Sequence, residues 1–279
     1  MKSYRIACIP GDGIGKEVVP AGQAVLEALA AANGSFEFDF ENFGWGGDWY
    51  RAHGEMMPHD GLDALRNKDA ILFGSAGDPH IPDHITLWGL RLAQSRPRKL
   101  LTVVTKSNAQ RHAMVMWDEI AVQVSKEFPD VSWDKELVDA ATARMVNRPA
   151  TLDTLVATNL HADILSDLAA ALAGSLGIAP TGNIDPERRY PSMFEPIHGS
   201  AFDIMGKGLA NPVGTFWSCV MLLEHIGELE AARTLMGVIE QVTANPALHT
   251  GDLGGKATTA QVTQAVCGLI AETADLVAA

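Results

Sequence analysis

Residues 4–32, YRIACIPGDGIGKEVVPAGQAVLEALAAA, run from a short β-rich stretch through a glycine-dense turn into a long helical pattern. A strand that feeds a helix through a tight turn opens a βα unit, and the rest of the chain repeats the alternation. Strand is predicted over 36–43 and 70–74, with a short helical stretch at 60–66 between them. A second cycle follows: strand 99–105, helix 109–128, strand 135–139, then strand 154–157 leading into helix 161–176. The last third reads as mainly helical. Residues 177–196 are dense in proline and glycine, which resist helix continuation and favour turns, so this stretch reads as loop and as a domain crossover. The fold class is therefore α/β.

Composition narrows the function classes. A chain of 279 residues that is 47% hydrophobic buries a sizeable core. Its formal charge of -13, with no run of Lys or Arg, argues against a nucleic-acid surface, because phosphate binding needs concentrated positive charge. No stretch approaches the roughly 18 consecutive apolar residues of a membrane span, and the first residues lack the apolar core of a signal peptide. A cytoplasmic protein with no membrane partner is expected. Cys8, Cys219 and Cys267 are odd in number and widely spaced, with no C-x-x-C pair. Buried thiols in a reducing compartment are predicted, not a disulfide framework or a zinc site.

Several segments carry chemistry, and each has a plainer rival reading. Pro10-Gly11-Asp12-Gly13-Ile14-Gly15-Lys16 ends a strand and opens a helix, where free backbone N–H groups face an anion. It fails as a Rossmann fingerprint because Lys16 stands where the third glycine belongs. It also fails as a Walker A loop, since Pro10 and Glu17 occupy required positions. The rival reading is a tight turn. Asp163 and Asp167 are spaced i,i+4, which stacks two carboxylates on one helical face. A divalent cation converts their repulsion into binding, and oxygen ligands point to magnesium or manganese before zinc. Their rival reading is a solvated acidic helix start, against which Ile164, Leu165 and Leu168 predict a substantially buried helix.

Asp139 ends a strand-like run and is a candidate third metal ligand. Lys106 ends another strand, with Asn108 two residues on. A lysine there is ordinarily a solvated edge charge. In the loop 195–203, EPIHGSAFD, glycine permits close backbone approach, imidazole stacks on adenine, and a carboxylate accepts from a ribose diol. The rival for His198 is a satisfied polar side chain, and for Asn211-Pro212 an ordinary helix cap.

These pieces occur together in one order: PGDGIG at 10–15, V-x-K-x-N at 104–108, V-D at 138–139, NLxxDILSD at 159–167, and EPIHGSAxDIxGKGxANP at 195–212. The set resembles the isocitrate and isopropylmalate dehydrogenase family, and the run 83–89, DHITLWG, resembles its tartrate and D-malate dehydrogenase branch. The resemblance implies a two-domain α/β fold that is not Rossmann, with a large cofactor-binding domain from 1–92 and 180–279. A smaller metal-binding and dimerisation domain is expected over 93–179. It also implies NAD- and Mn²⁺- or Mg²⁺-dependent oxidation of a 2-hydroxy dicarboxylic acid, with decarboxylation. By the same resemblance Arg91 and Asn108 hold substrate, Lys106 and Asp139 are catalytic, and Asp139, Asp163 and Asp167 bind the metal. Glu195, His198, Gly199, Ser200, Asp203 and Asn211 line the adenosine site, with Asp203 favouring NAD over NADP. Lys106, Asn108 and Asp139 reach in from the partner subunit, which makes a homodimer obligatory.

One departure stands out. After Leu92 the family continues into a segment with an N-x-R-P substrate arginine, an R-E-N-T-E-G-x-Y strand and a dimer arm. Here Leu92 runs directly into 93–99, AQSRPRK, which resembles the helix end that follows all of those. The second and third substrate arginines and the catalytic tyrosine have no counterpart. A non-catalytic relative that binds nucleotide or dimerises without turnover is therefore the rival to an enzyme.

Overall fold

The computed structural model describes residues 1–75 and 85–278, with backbone only at 85–88 and 274–278. They fall into two compact units, one within 1–77 and 174–279, the other within 78–173. The expected boundaries at 92/93 and 179/180 thus lie elsewhere. Residues 85–95 form a helix that belongs to the middle unit, and residues 174–179 belong to the unit built from both ends.

The first unit begins with β1 (Lys2–Gly11), α1 (Gly15–Asn33), β2 (Phe36–Asn42), α2 (Gly47–His53), α3 (Gly61–Leu65) and β3 (Ala70–Ser75). α1 forms because Val18, Gly22, Val25 and Leu29 recur at helical spacing and bury one face. Gly34 then stops it in the left-handed region at φ 70°. β3 is buried on nearly every residue, as a parallel strand covered on both faces requires.

The middle unit contains α4 (Ile85–Ser95), β4 (Leu100–Thr105), α5 (Ala113–Ser125), β5 (Ser132–Leu137), α6 (Val138–Asn147), β6 (Thr154–Val156) and α7 (Asn159–Ala173). Its three-stranded parallel sheet has the order β5-β4-β6. Leu101, Val103 and Val156 pack with Leu90, Met114 and Trp117 in one cluster, while Val104 and Ala157 pack with Ala141, Met145 and Leu165 in another. α4 and α5 therefore supply one cluster and α6 and α7 the other. A Cβ on Gly89 would stand 2.9 Å from that of Val156, so only glycine lets α4 lie this close to β6. Of the branch-marking run, Asp83 and His84 lie outside the described residues, as do the side chains of 85–88.

The chain returns to the first unit with β7 (Pro180–Asn183), β8 (Ser192–Pro196), α8 (Val213–Ile226), α9 (Leu229–Thr243) and α10 (Thr259–Ala278). The five-stranded sheet runs β2-β1-β3-β8-β7, parallel except for the antiparallel β7–β8 pair. That pair corrects the loop expected over 177–196. Its strands are short, and proline at each end masked them, yet Pro180 and Pro196 sit opposite each other at the margin of the ladder, where a missing N–H is tolerated. α8 is apolar around most of its circumference and correspondingly buried, with Phe216 fully enclosed beside Phe36 and Phe194. Cys8 and Cys219 are buried free thiols, and burial pushes Cys8 up to about 12. Among the described residues no helix is long and apolar enough to cross a membrane.

Candidate active site

In the first unit, the glycine-dense turn and the 195–203 loop are stitched together. The Ile14 N–H donates to the Ser200 carbonyl at 2.8 Å, and the Ser75 hydroxyl donates to the Asp12 carbonyl at 2.9 Å while lying 3.2 Å from the Ser200 hydroxyl. Gly13 sits at φ 55° with the Ser200 carbonyl where a Cβ would be. The turn thus anchors the late loop, a role that the tight-turn reading alone does not include.

Beside this junction lies a cavity of about 770 Å³ lined by Ile14, Ser175, His198, Asn211, Asp252 and Lys256, with apolar residues between them. His198 Nε2 is buried and has no partner, and burial holds the imidazole below its ordinary value, so it is neutral near pH 7. A neutral ring on the wall of an apolar cavity suits a heteroaromatic base. Asp252 organises the opposite wall. Its oxygens accept from Ser175 Oγ at 2.5 Å, Asn211 Nδ2 at 2.9 Å and Thr250 Oγ1 at 2.5 Å. Burial raises its pKa, but these three donors outweigh burial and leave the carboxyl below its usual range.

Of the expected adenosine residues, only His198 and Asn211 line this cavity. Asn211 is spent internally, since its Oδ1 also accepts from the Val213 N–H at 3.0 Å; both the helix-cap reading and a wall position describe it. Ser200 braces the loop from behind, whereas Gly199 and Asp203 are exposed and outside the lining. Glu195 lies on β8, where Asn183 Nδ2 donates to it at 3.0 Å and burial raises it to about 7. Ser175, Asp252 and Lys256 were missed. The run Gly251-Asp252-Leu253-Gly254-Gly255, a second glycine-rich turn late in the chain, was the available signal.

In the middle unit, Lys106 Nζ lies 2.5 Å from Asp139 Oδ1, and this contact pulls Asp139 below its ordinary value. Asp139 does not end a strand. β5 stops at Leu137 and Asp139 stands in the first turn of α6, where a carboxylate is favoured by the helix dipole. The Trp117 indole donates to the Val104 carbonyl at 3.1 Å, tying α5 to the strand end that carries Lys106. His161, at the start of α7, is buried with Nδ1 unpartnered; burial lowers it first and the Lys106 charge second. Asn108 is exposed in the turn after β4, and Arg91 is exposed on α4.

Asp163 and Asp167 are exposed one turn apart on α7. The burial expected around them is partial: Leu165 is enclosed and Leu168 half-buried, but Ile164 is 51% exposed and continues a stripe with Leu160 and Leu172. Among the described residues no three His, Cys, Asp or Glu side chains of one chain gather as a metal cluster, so Asp139 does not join Asp163 and Asp167 within a chain.

The sequence profile of the isocitrate/isopropylmalate dehydrogenases matches residues 5–86 and 82–266. The chain belongs to that family. Curated relatives include a probable tartrate dehydrogenase/decarboxylase of Agrobacterium vitis, 52% identical over 354 residues, with 97% of this chain and 99% of the relative covered. The D-malate dehydrogenase [decarboxylating] of Escherichia coli is 37% identical over 360 residues, covering 97% and 99%. Among solved structures, the isocitrate dehydrogenase of Methylococcus capsulatus superposes with a TM-score of 0.85 at 27% identity, over 96% of this chain and 99% of that one.

The same figures bear on the expected central deletion. An alignment of 354 positions against a family member of 279 residues leaves at least 75 positions where this chain has none. The two stretches matched by the family profile meet at 82–86, slightly before the junction expected after Leu92.

Proposed function

We propose that this dehydrogenase-family chain carries out NAD- and Mn²⁺- or Mg²⁺-dependent oxidation, with decarboxylation, of a 2-hydroxy dicarboxylic acid such as tartrate or D-malate. The observation that carries the reading is the contact between Lys106 and Asp139. It brings an amine and a carboxylate distant in sequence into one ion pair at the mouth of the β4 and β5 strand ends. The 770 Å³ cavity with its unpartnered His198 nitrogen fits the adenosine end of a dinucleotide. The donor set of Asp163 and Asp167, oxygen only and free of ion pairs among the described residues, fits a hard divalent cation.

When bound, the cation supplies Lewis acidity toward the substrate hydroxyl and the dinucleotide supplies the hydride acceptor. The protein's own part is proton handling and orientation. Lys106 helps remove the proton from the C2 hydroxyl, and Asp139 fixes the direction of its side chain. Arg91 offers a guanidinium fork to a substrate carboxylate and Asn108 an amide. Because Asp139 is separate from Asp163 and Asp167 within the chain, a homodimer completes the ligand set. The exposed Leu160, Ile164 and Leu172 stripe beside the aspartates supports such a pairing.

A second reading is favoured by the absent positions, which remove the further substrate arginines and the tyrosine expected to reprotonate the enolate. On that reading the chain binds nucleotide and metal without turnover. The experiment is NADH formation by the purified protein with Mn²⁺, testing D-malate and the tartrate stereoisomers beside Lys106→Ala. Turnover that disappears in the variant supports an enzyme; cofactor binding without product supports the non-catalytic relative.

A further inference from the structure

A second cavity, of about 330 Å³, opens at the N-terminal ends of β1, β3 and β8, where Tyr4, residues 66–69 and residues 188–191 meet the end of α8. The parallel register fixes its place. Ile6 pairs with Ala70 and Ala70 with Ser192 at this end, whereas Gly11 pairs with Ser75 at the other, where the glycine-dense turn meets the 195–203 loop. This cavity is therefore separate from the one lined by His198. Its lining carries Arg66, Lys68, Arg188 and Arg189 against one carboxylate, Asp69, among the described residues. In a chain of formal charge -13 that is a local cationic basin. Asp69 is engaged elsewhere, since its Oδ2 accepts from the Arg5 N–H at 2.7 Å.

Arg66, Lys68 and Arg189 each pair with an exposed carboxylate outside the lining: Asp63, Glu41 and Glu187 respectively. Exposed pairs of this kind are weak and are readily shared with a third charge. Arg188 differs, because no carboxylate among the described residues pairs with it. Its Nη2 donates to the His225 carbonyl at 2.7 Å, in the last turn of α8. Its backbone stands at φ 54°, a left-handed conformation that a non-glycine residue keeps only where its surroundings hold it. Asp185 does the holding: its carboxylate accepts from the N–H groups of Glu187 at 3.2 Å and of Arg189 and Tyr190 at 2.8 Å each. The Tyr190 ring in turn lies 5.4 Å from the Arg66 guanidinium carbon, a cation–π contact that braces a second fork. The arginines are exposed and form the rim, while Tyr4, Lys68 and His225 are half-buried beneath them. The volume is at the lower end for ligand pockets, which suits a small organic or inorganic anion and not a dinucleotide.

We propose that this cavity binds a small anion of two or more negative charges, a phosphate group or a dicarboxylate, held by Arg188 together with Arg66 and Lys68. The test is titration calorimetry of the full chain with inorganic phosphate and, separately, with succinate, at an ionic strength held constant with chloride. The expected result is saturable binding of at least one of them, with a Kd of about 1 mM or tighter. Arg188→Gln and Arg66→Gln each weaken it roughly tenfold, the scale of one charge-assisted contact, while Lys256→Gln, in the other cavity, leaves it as in the wild type. Cooperative melts verify that each variant is folded; should Arg188→Gln loosen the end of α8, Arg66→Gln carries the test. Binding of phosphate alone assigns the site to phosphate-bearing ligands, and of succinate alone to dicarboxylates. No saturable binding of either, or binding that falls with Lys256→Gln and not with Arg66→Gln, overturns the proposal. Binding unchanged by both arginine variants overturns it equally.

Discussion

Glu195 offers a test of the β7–β8 pair that is independent of turnover. Burial moves its carboxyl from 4.5 to about 7, against the opposing Asn183 hydrogen bond. The folded state therefore holds a proton that the unfolded chain releases at lower pH, and stability falls as pH rises from about 4.5 to about 7, then levels off. Taken whole, the displacement is worth ~3 kcal/mol at ~1.36 kcal/mol per pH unit. Glu195 is part-exposed, so solvent screening reduces this to about 1–2 kcal/mol. Glu195→Gln keeps an oxygen for Asn183 and removes the titration. The variant should be more stable than the wild type by about 1–2 kcal/mol at pH 8, a rise of roughly 2–6 °C in melting temperature, and by only a few tenths of a kcal/mol at pH 5. Thermal melts of both proteins at the two pH values decide it. An equal offset at pH 5 and pH 8, or a less stable variant at pH 8, would show that the carboxyl does not sit in the environment described for β8.

Lys106→Ala should abolish NADH formation while shifting stability by no more than about 0.5 kcal/mol, because its ion pair with the exposed Asp139 contributes little to folding; calorimetry beside the activity assay checks both halves. Asp163→Asn with Asp167→Asn should weaken Mn²⁺ binding by roughly tenfold or more, since affinity for a hard cation follows the count of charged oxygens. Electron paramagnetic resonance of free Mn²⁺ reads this without turnover, and unchanged binding would remove α7 from the metal site. Gly13→Ala places a methyl 1.7 Å from the Ser200 carbonyl oxygen at φ 55° and should cost about 2–4 kcal/mol, measured by urea denaturation. A near-neutral effect there would mean that the turn and the late loop are not stitched together.

What was legible in the sequence follows from how far each signal depends on its neighbours in space. The β1–α1 unit could be read directly, because Val18, Gly22, Val25 and Leu29 bury one face at a fixed period and Gly34 marks the stop. The β7–β8 pair could not. Its partners face each other across a turn rich in proline and charge, and only the register Thr181–Glu195 and Gly182–Phe194 shows why those residues are strand. Asp139 was assigned to the right neighbourhood but the wrong element, since Glu136-Leu137-Val138 continues a β-like run past the point where β5 ends and α6 begins. The cavity wall was hidden for another reason. Ser175 and Asp252 are small polar residues without a distinctive spacing, and they acquire meaning only when the Asp252 carboxylate gathers the hydroxyl donors of Ser175 and, behind the wall, Thr250.

The central deletion is the point at which local and global signals part. The middle unit retains β4 between β5 and β6, two apolar clusters on the faces of its sheet, and the Lys106–Asp139 pair, so the loss of at least 75 aligned positions has not removed its local core. What it removes, on the family resemblance, is substrate grip, which needs several cations converging on two carboxylates. On the proposed reading Arg91 is left to supply one such fork. Binding energy from remote carboxylates is what orients the reacting carbon, and its loss should appear in kcat as well as in KM. If the chain turns over a 2-hydroxy diacid, the measurable signature is a weak, salt-sensitive KM together with intact nucleotide affinity. Strong nucleotide affinity with no detectable rate at any substrate concentration places the defect in orientation, and the cofactor-binding unit then stands as the working part of the molecule.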